Sequence, residues 1–191
     1  EANCYIVTDE KTMKCAIIDP GDESNLILDY IESNSLSPEA IFLTHGHFDH
    51  VGAVETVAEE TGAPVYISLK DVGEIGDDYR YYAPEGTLFY SDGDVIEVGN
   101  LKFRVMETPG HSEGSVTLRC EDALFTGDTL FRGSCGRTDL PGGDYDRLMA
   151  SLRRIYDIPG DLEIYPGHMG PSNLQLERAA NYYMRLAKAG M

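Results

Sequence analysis

Apolar residues open the chain in two short runs, 4–7 and 15–18, with the polar triplet Asp9-Glu10-Lys11 between them. That pattern predicts a β-hairpin. Leu26, Ile27, Tyr30 and Ile31 then recur at the three- and four-residue spacing of a helix face. After Pro38, a strand over 40–44 runs into a polar turn, and Val51, Val54, Val57 and Ala58 form a helical stripe behind it. A short strand is predicted over 64–68. From 86 to 120 the chain alternates apolar and polar residues between glycine turns, as in Val95-Ile96-Glu97-Val98, and predicts consecutive strands. A strand over 123–126 follows. Leu148, Leu152 and Ile155 mark a helix, 162–165 a strand, and 173–188 one helix with Leu176, Ala179, Ala180, Tyr183, Leu186 and Ala187 on one side. No repeat, low-complexity tract or linker interrupts this order. The expectation is an α/β fold of a single domain over 1–191, with sheets inside and helices outside.

The polar turns between these elements carry the chemistry. All five histidines lie in short polar, glycine-containing contexts: Thr44-His45-Gly46-His47-Phe48-Asp49-His50, Pro109-Gly110-His111 and Pro166-Gly167-His168. Asp128 sits in Gly127-Asp128-Thr129. Each of these turns lies just beyond a predicted strand, where loops on a rigid sheet place catalytic groups. Five imidazoles and two carboxylates suffice for two metal ions. A tight turn aims His45 and His47 at one ion and Asp49 and His50 at a second. His111 and His168 complete one site each, and Asp128 has two oxygens with which to bridge. Two ions about 3.5–4 Å apart can clamp a substrate oxygen between them. Nitrogen and oxygen donors of this kind suit zinc, iron and manganese alike; zinc is the first expectation. Asp19 ends a strand and either orients a ligand imidazole from behind or simply forms a turn before Pro20-Gly21. Arg137 is the candidate substrate contact; the alternative is an ion pair with an acidic neighbour.

Charge narrows the partners. The 191 residues hold 33 acidic against 15 basic side chains, a net charge of −18. Such a field repels phosphate backbones and anionic membranes, so neither nucleic acid nor membrane is an expected partner. No apolar run approaches the roughly 18 residues of a membrane span. Cys4, Cys15, Cys120 and Cys135 show no paired spacing, which suits reduced thiols in a cytoplasmic protein.

The ordered set His45-x-His47-x-Asp49-His50, then His111, Asp128 and His168, resembles the signature of the metallo-β-lactamase superfamily. Ile17-Ile18-Asp19-Pro20-Gly21, Gly127-Asp128-Thr129-Leu130-Phe131, Gly136-Arg137-Thr138-Asp139-Leu140-Pro141-Gly142-Gly143 and Tyr165-Pro166-Gly167-His168 are similar to its small glyoxalase II-like branch, the hydroxyacylglutathione hydrolases. The resemblance implies an αββα sandwich of two mixed sheets flanked by helices. It implies one ion on His45, His47 and His111, a second on Asp49, His50 and His168, and Asp128 as a bridge. Asp49 and Asp128 are then the carboxylates closest to the chemistry. The implied activity is hydrolysis of an S-lactoylglutathione-like thioester by a hydroxide held between the ions. The family's Lys and Tyr for glutathione, in the loop after the bridging Asp, fall here on Arg137 and Asp139. Its C-terminal glutathione-binding extension is not expected within 1–191. The resemblance leaves monomer or homodimer open. The same fold, and the stretch from Gly136 to Asp139, also resemble iron-dependent persulfide dioxygenases, whose ligands would be His45, His111 and Asp128. A lactonase is a further reading.

Overall fold

A computed structural model describes residues 2–190. The opening hairpin is β1 (Tyr5–Asp9) and β2 (Lys14–Ile18), paired antiparallel from Tyr5 opposite Ile18 to Asp9 opposite Lys14. Its turn is held by Asp9, whose carboxylate accepts from Lys11 N, Thr12 Oγ1 and both the backbone and side-chain nitrogens of Asn100. Helix α1 (Ser24–Ser33) follows, then β3 (Ser37–Phe42), which runs parallel to β2. Pro38 therefore lies inside the strand and not before it. The register shifts between Cys15 and Ala16, next to the Pro38 pairing, because a residue without an N–H cannot complete the ladder. Two short helices, α2 (Phe48–Val51) and α3 (Val54–Thr61), break the expected single stripe at Gly52 and Ala53. Strands β4 (Val65–Ile67) and β5 (Leu88–Phe89) complete a five-stranded mixed sheet in the order β1-β2-β3-β4-β5.

The second sheet begins with β6 (Val95–Val98), β7 (Leu101–Glu107), β8 (Val116–Cys120) and β9 (Ala123–Gly127), an antiparallel run. A small hairpin, β10 (Leu130–Phe131) with β11 (Ser134–Cys135), stands apart. Helix α4 (Tyr145–Tyr156) begins at Asp144, whose side chain accepts from Arg147 N. Strand β12 (Glu163–Pro166) then pairs parallel with β9, and β13 (Ser172–Asn173) closes the edge. The chain continues as α5 (Leu174–Ala180) and α6 (Tyr182–Ala189).

Side-chain alternation builds four layers from these elements. Along β2 and β3, Ala16, Ile18, Ala40 and Phe42 face inward and meet Phe103, Val105, Val116, Leu118 and Phe125 of the second sheet. The intervening Ile17, Ile41 and Leu43 face outward and are covered by Ile27 and Ile31 of α1 and by Val54 and Val57 of α3. On the far side, Leu124 and Ile164 are covered by Leu148, Leu152 and Ile155 of α4 and by Met184 and Ala187 of α6. Period-two patterning along both strand sets therefore yields an αββα sandwich.

Two helix faces differ from expectation. In α1 only Ile27 and Ile31 are buried, while Leu26 and Tyr30 stand in solvent. The C-terminal segment is two helices and not one, and its buried residues are Leu174, Glu177, Met184 and Ala187, with Leu176 exposed. The break is at Asn181, which is fully buried. Its Oδ1 accepts from Tyr183 N and Met184 N to start α6, and its Nδ2 donates to Phe131 O, Ser134 O and Glu177 Oε2. An N-cap of this kind replaces the helical bonds a continuous helix would make.

Candidate metal centre

Topology brings the polar turns to one edge. Strands β7 and β9 both run antiparallel to β8, so they share a direction, and β12 runs parallel to β9. The loops leaving these three strands carry His111, Asp128 and His168. The loop after β3 carries His45, His47, Asp49 and His50, and it is tied to the other sheet by Val116 N donating to Thr44 O at 2.9 Å. All seven predicted donors therefore meet where the two sheets open.

They meet in two adjoining groups. Donor atoms of His45, His47 and His111 lie within 4.8 Å of one another, and so do those of Asp49, His50 and His168. Asp128 lies between: Oδ2 is 3.4 Å from His111 Nε2 and 3.4 Å from His168 Nε2, and Oδ1 is 3.4 Å from His50 Nε2. Three buried polar atoms at this spot, His45 Nε2, His47 Nε2 and Asp128 Oδ1, have no hydrogen-bond partner. Buried polar atoms without partners are costly, and a cation satisfies such lone pairs. The backbone is close as well. A Cβ on Gly167 would overlap Asp128 Oδ1 and His50 Cε1, and one on Gly136 would overlap the Asp128 carbonyl. The donor set and these atoms fit divalent ions; zinc, iron and manganese all accept such donors.

Hydrogen bonds behind the ligands fix their orientation. Asp19 sits in the left-handed region (φ 50°), which Asp tolerates better than most residues. There its carboxylate accepts from Thr44 N at 2.7 Å, from Thr44 Oγ1 at 2.6 Å and from His50 Nδ1 at 3.0 Å. Thr44 Oγ1 is also 3.1 Å from His45 Nδ1. Asp19 thus turns His50 directly and His45 through Thr44, leaving both Nε2 atoms facing the centre. His111 Nδ1 donates to Arg137 O at 2.8 Å, and His111 Nε2 comes within 2.9 Å of His47 Nδ1.

Asp71 has an equal part that the chain's pattern did not signal. This buried carboxylate accepts from Gly46 N at 3.0 Å, Ser112 Oγ at 2.6 Å and Gly114 N at 2.7 Å. It ties the turn between His45 and His47 to the loop that bears His111. The His168 loop is held differently, from the N-terminal strand: Tyr5 Oη donates to Pro166 O, and Asn3 Nδ2 to Pro166 O and Met169 O.

Electrostatics divides the two groups. Burial, then His111 beside it, pushes His47 down to about 4, and burial, then His50, holds His45 well below the usual imidazole value. Burial opposes a charged His50 too, but Asp128 and Asp19 outweigh it and draw His50 up to about 10. Asp128 and Asp49 draw His168 up to about 9. Burial also opposes a charged Asp128, yet the imidazoles of His168 and His50 hold its carboxyl well below the usual range.

Arg137 contributes its backbone, through the bond from His111. Its guanidinium is engaged bidentately by Asp139, at 2.6 and 2.7 Å, on the exposed surface. Among the tyrosines near the site, Tyr79 meets His47 edge-on at 5.8 Å, and Tyr81 is buried in the core beneath α3. No helix among the described residues is long and apolar enough to cross a membrane.

Comparison with known proteins agrees with this geometry. The family model described as the metallo-beta-lactamase superfamily matches residues 1–168. The probable metallo-hydrolase YqgX of Bacillus subtilis is 34% identical, over 96% of this chain and 92% of its own length. Hydroxyacylglutathione hydrolase GloC of Haemophilus influenzae is 30% identical, over 96% and 93%. Among solved structures, the B3 metallo-beta-lactamase BLEG-1 superposes with a TM-score of 0.87 at 32% identity, over 96% of this chain and 94% of that one. TTHA1623 in a di-iron-bound form gives 0.83 at 36%, over 96% and 95%. ETHE1 from Myxococcus xanthus gives 0.83 at 28%, over 97% and 84%. With the sandwich fold, the two donor groups and a match spanning nearly all of both, the chain belongs to the metallo-beta-lactamase superfamily.

Proposed function

We propose that the protein hydrolyses thioesters with the help of two divalent ions, zinc first among them. His45, His47 and His111 would hold one and Asp49, His50 and His168 the other, with Asp128 between the two donor groups. The observation that carries this reading is the placement of Asp128, with one oxygen toward His50 and the other toward His111 and His168. The likeness to a hydroxyacylglutathione hydrolase supports the substrate class. Bound divalent ions supply Lewis acidity toward a carbonyl oxygen and lower the pKa of water toward about 7. The protein's own residues do the rest. Asp19 and Thr44 set the imidazole tautomers, and Asp71 and the Arg137 carbonyl fix the His111 loop. Asp49 and Asp128 are the carboxylates that orient the attacking water. Water adds to the acyl carbon, the C–S bond breaks, and a carboxylic acid and a thiol leave. The test is hydrolysis of S-lactoylglutathione by the metal-loaded enzyme, read as thiol release. No thiol release with this or any other S-acyl glutathione overturns the reading.

One observation favours a second reading. His45, His111 and Asp128 form a set of two imidazoles and one carboxylate, the donor type of one-iron oxygenases, with His111 Nε2 3.4 Å from Asp128 Oδ2. A persulfide dioxygenase would use that set, and the likeness to ETHE1 supports it. Oxygen uptake with glutathione persulfide by iron-loaded protein, with no thioester cleavage, selects it. A lactone assay on the same preparation covers the third activity open to this fold.

A further inference from the structure

Beside the second donor group lies a cavity of about 550 Å³, between the loop Gly21–Glu23, helix α1 and helix α2. Asp49, one of the second group's donors, belongs to its wall, so the cavity adjoins that group. Its apolar lining comes from Leu26, Ile27 and Phe48, with Cys4 and Ala2. Leu26 and Phe48 are 63% and 64% exposed, and both line it. Two large apolar side chains left in solvent on one cavity offer area that an apolar group gains by covering. Ile27 also lines it, and so does Cys4, whose thiol burial pushes up to about 12 and keeps neutral. Its charged lining residues are Asp22, Glu23 and Asp49, with no lysine or arginine among the described residues that line it.

We propose that this cavity is the acyl subsite of the enzyme, and that it selects thioesters whose acyl group is uncharged and of medium chain length or aromatic. The proposal rests on the thioesterase reading above and specifies its substrate. Charge decides which end of the substrate enters. A glutathione moiety carries two carboxylates and one ammonium, and three lining carboxylates disfavour it. The acyl group is the other end, and an apolar one gains from covering Leu26 and Phe48. Size decides which acyl group. A cavity of this volume belongs to the range of sites for ligands much larger than a three-carbon lactoyl group.

The test is a series of S-acyl glutathiones with one leaving group: acetyl, butanoyl, hexanoyl, octanoyl, phenylacetyl and succinyl. From acetyl to hexanoyl, kcat/KM should rise at least about tenfold, as methylenes in a fitted pocket produce, and succinyl should rank below butanoyl. In Leu26→Lys, with folding checked by its melting curve, the gain with chain length should collapse and succinyl should gain relative to butanoyl. A wild-type profile flat in chain length, or a Leu26→Lys profile identical to wild type, overturns the proposal while leaving thioesterase activity standing. Calorimetry with the thioethers S-methyl- and S-hexylglutathione reads the subsite without hydrolysis. Hexyl should bind at least about tenfold tighter than methyl, and Leu26→Lys should abolish the difference. If no thioester is cleaved but this difference appears, the hydrolase reading fails and the subsite stands. Equal binding of the two thioethers overturns the subsite.

Discussion

The two halves of the candidate metal centre, three imidazoles on one side and two imidazoles with a carboxylate on the other, are not equivalent. His45, His47 and His111 are fully buried, and their loops are joined behind by Asp71. Burial holds His45 and His47 neutral, so they present lone pairs at any pH above the acid range. In the other half, Asp49 and His168 remain 28% exposed. Its two imidazoles are drawn up by the carboxylates around them and keep protons at neutral pH. A cation entering the first half meets a finished site. One entering the second must first displace protons. The contrast between His47 and His50 shows burial and carboxylate contact acting in opposite directions on the same kind of side chain. The open, charged half is also the half whose Asp49 lines the cavity beside helix α1.

The largest effect should come from the residue both halves share. Asp128→Ala should lower turnover by at least about a thousandfold, as for a group that acts as part of a unit, and should disturb loading of both halves in elemental analysis. Normal turnover in this variant would break the account of the bridge. Asp71→Asn comes next. An amide cannot accept from Gly46 N, Ser112 Oγ and Gly114 N together, because one of its two atoms is a donor. Affinity of the first half should fall by about 10–100-fold, the usual cost of losing a group behind a ligand. The second half should change much less, which titration calorimetry resolves.

Much of this was legible along the chain. The histidine-bearing turns stood out because their residue types have few other uses in such glycine-rich contexts, and strand patterning placed them all beyond strand ends. Asp19 was legible as a strand-end carboxylate, though only the structure shows its three partners. Asp71 was not legible. It lies in an unremarkable Leu69-Lys70-Asp71 turn, and its partners are 25, 41 and 43 positions away. The C-terminal stripe misled for a different reason. Apolar spacing continues through Asn181, while that buried amide ends one helix and begins another. Leu26 misled likewise: it keeps the period of α1 but faces the acyl cavity and not the core. For Arg137 the chain offered two readings, a substrate contact or an ion pair with an acidic neighbour, and the structure shows the ion pair, with Asp139 two positions on.

A smaller effect should separate the halves from the other side. His168→Ala should remove one ion per chain and weaken the first half much less than the second, since His168 reaches the first half only through the shared Asp128. Loss of both ions would show that the halves are one cooperative site. The smallest effect is on pH. As pH rises toward about 9 and then about 10, His168 and His50 give up their protons, so affinity of the second half should climb with pH. The first half, with His47 already neutral above about 4, should stay nearly flat over the same window. Zinc titrations at several pH values check both slopes.

Stepwise loading of the metal-free protein tests the central claim most directly. Titrated with zinc near neutral pH in two buffers of different ionisation enthalpy, the protein should take up two ions in two resolved steps. The first should be tight, with His45 and His47 already neutral; the second should be weaker and release protons from His50 and His168. Both ions entering in a single step, or protons released with the first and not the second, would contradict the division of the centre into a finished half and a half that must be emptied of protons.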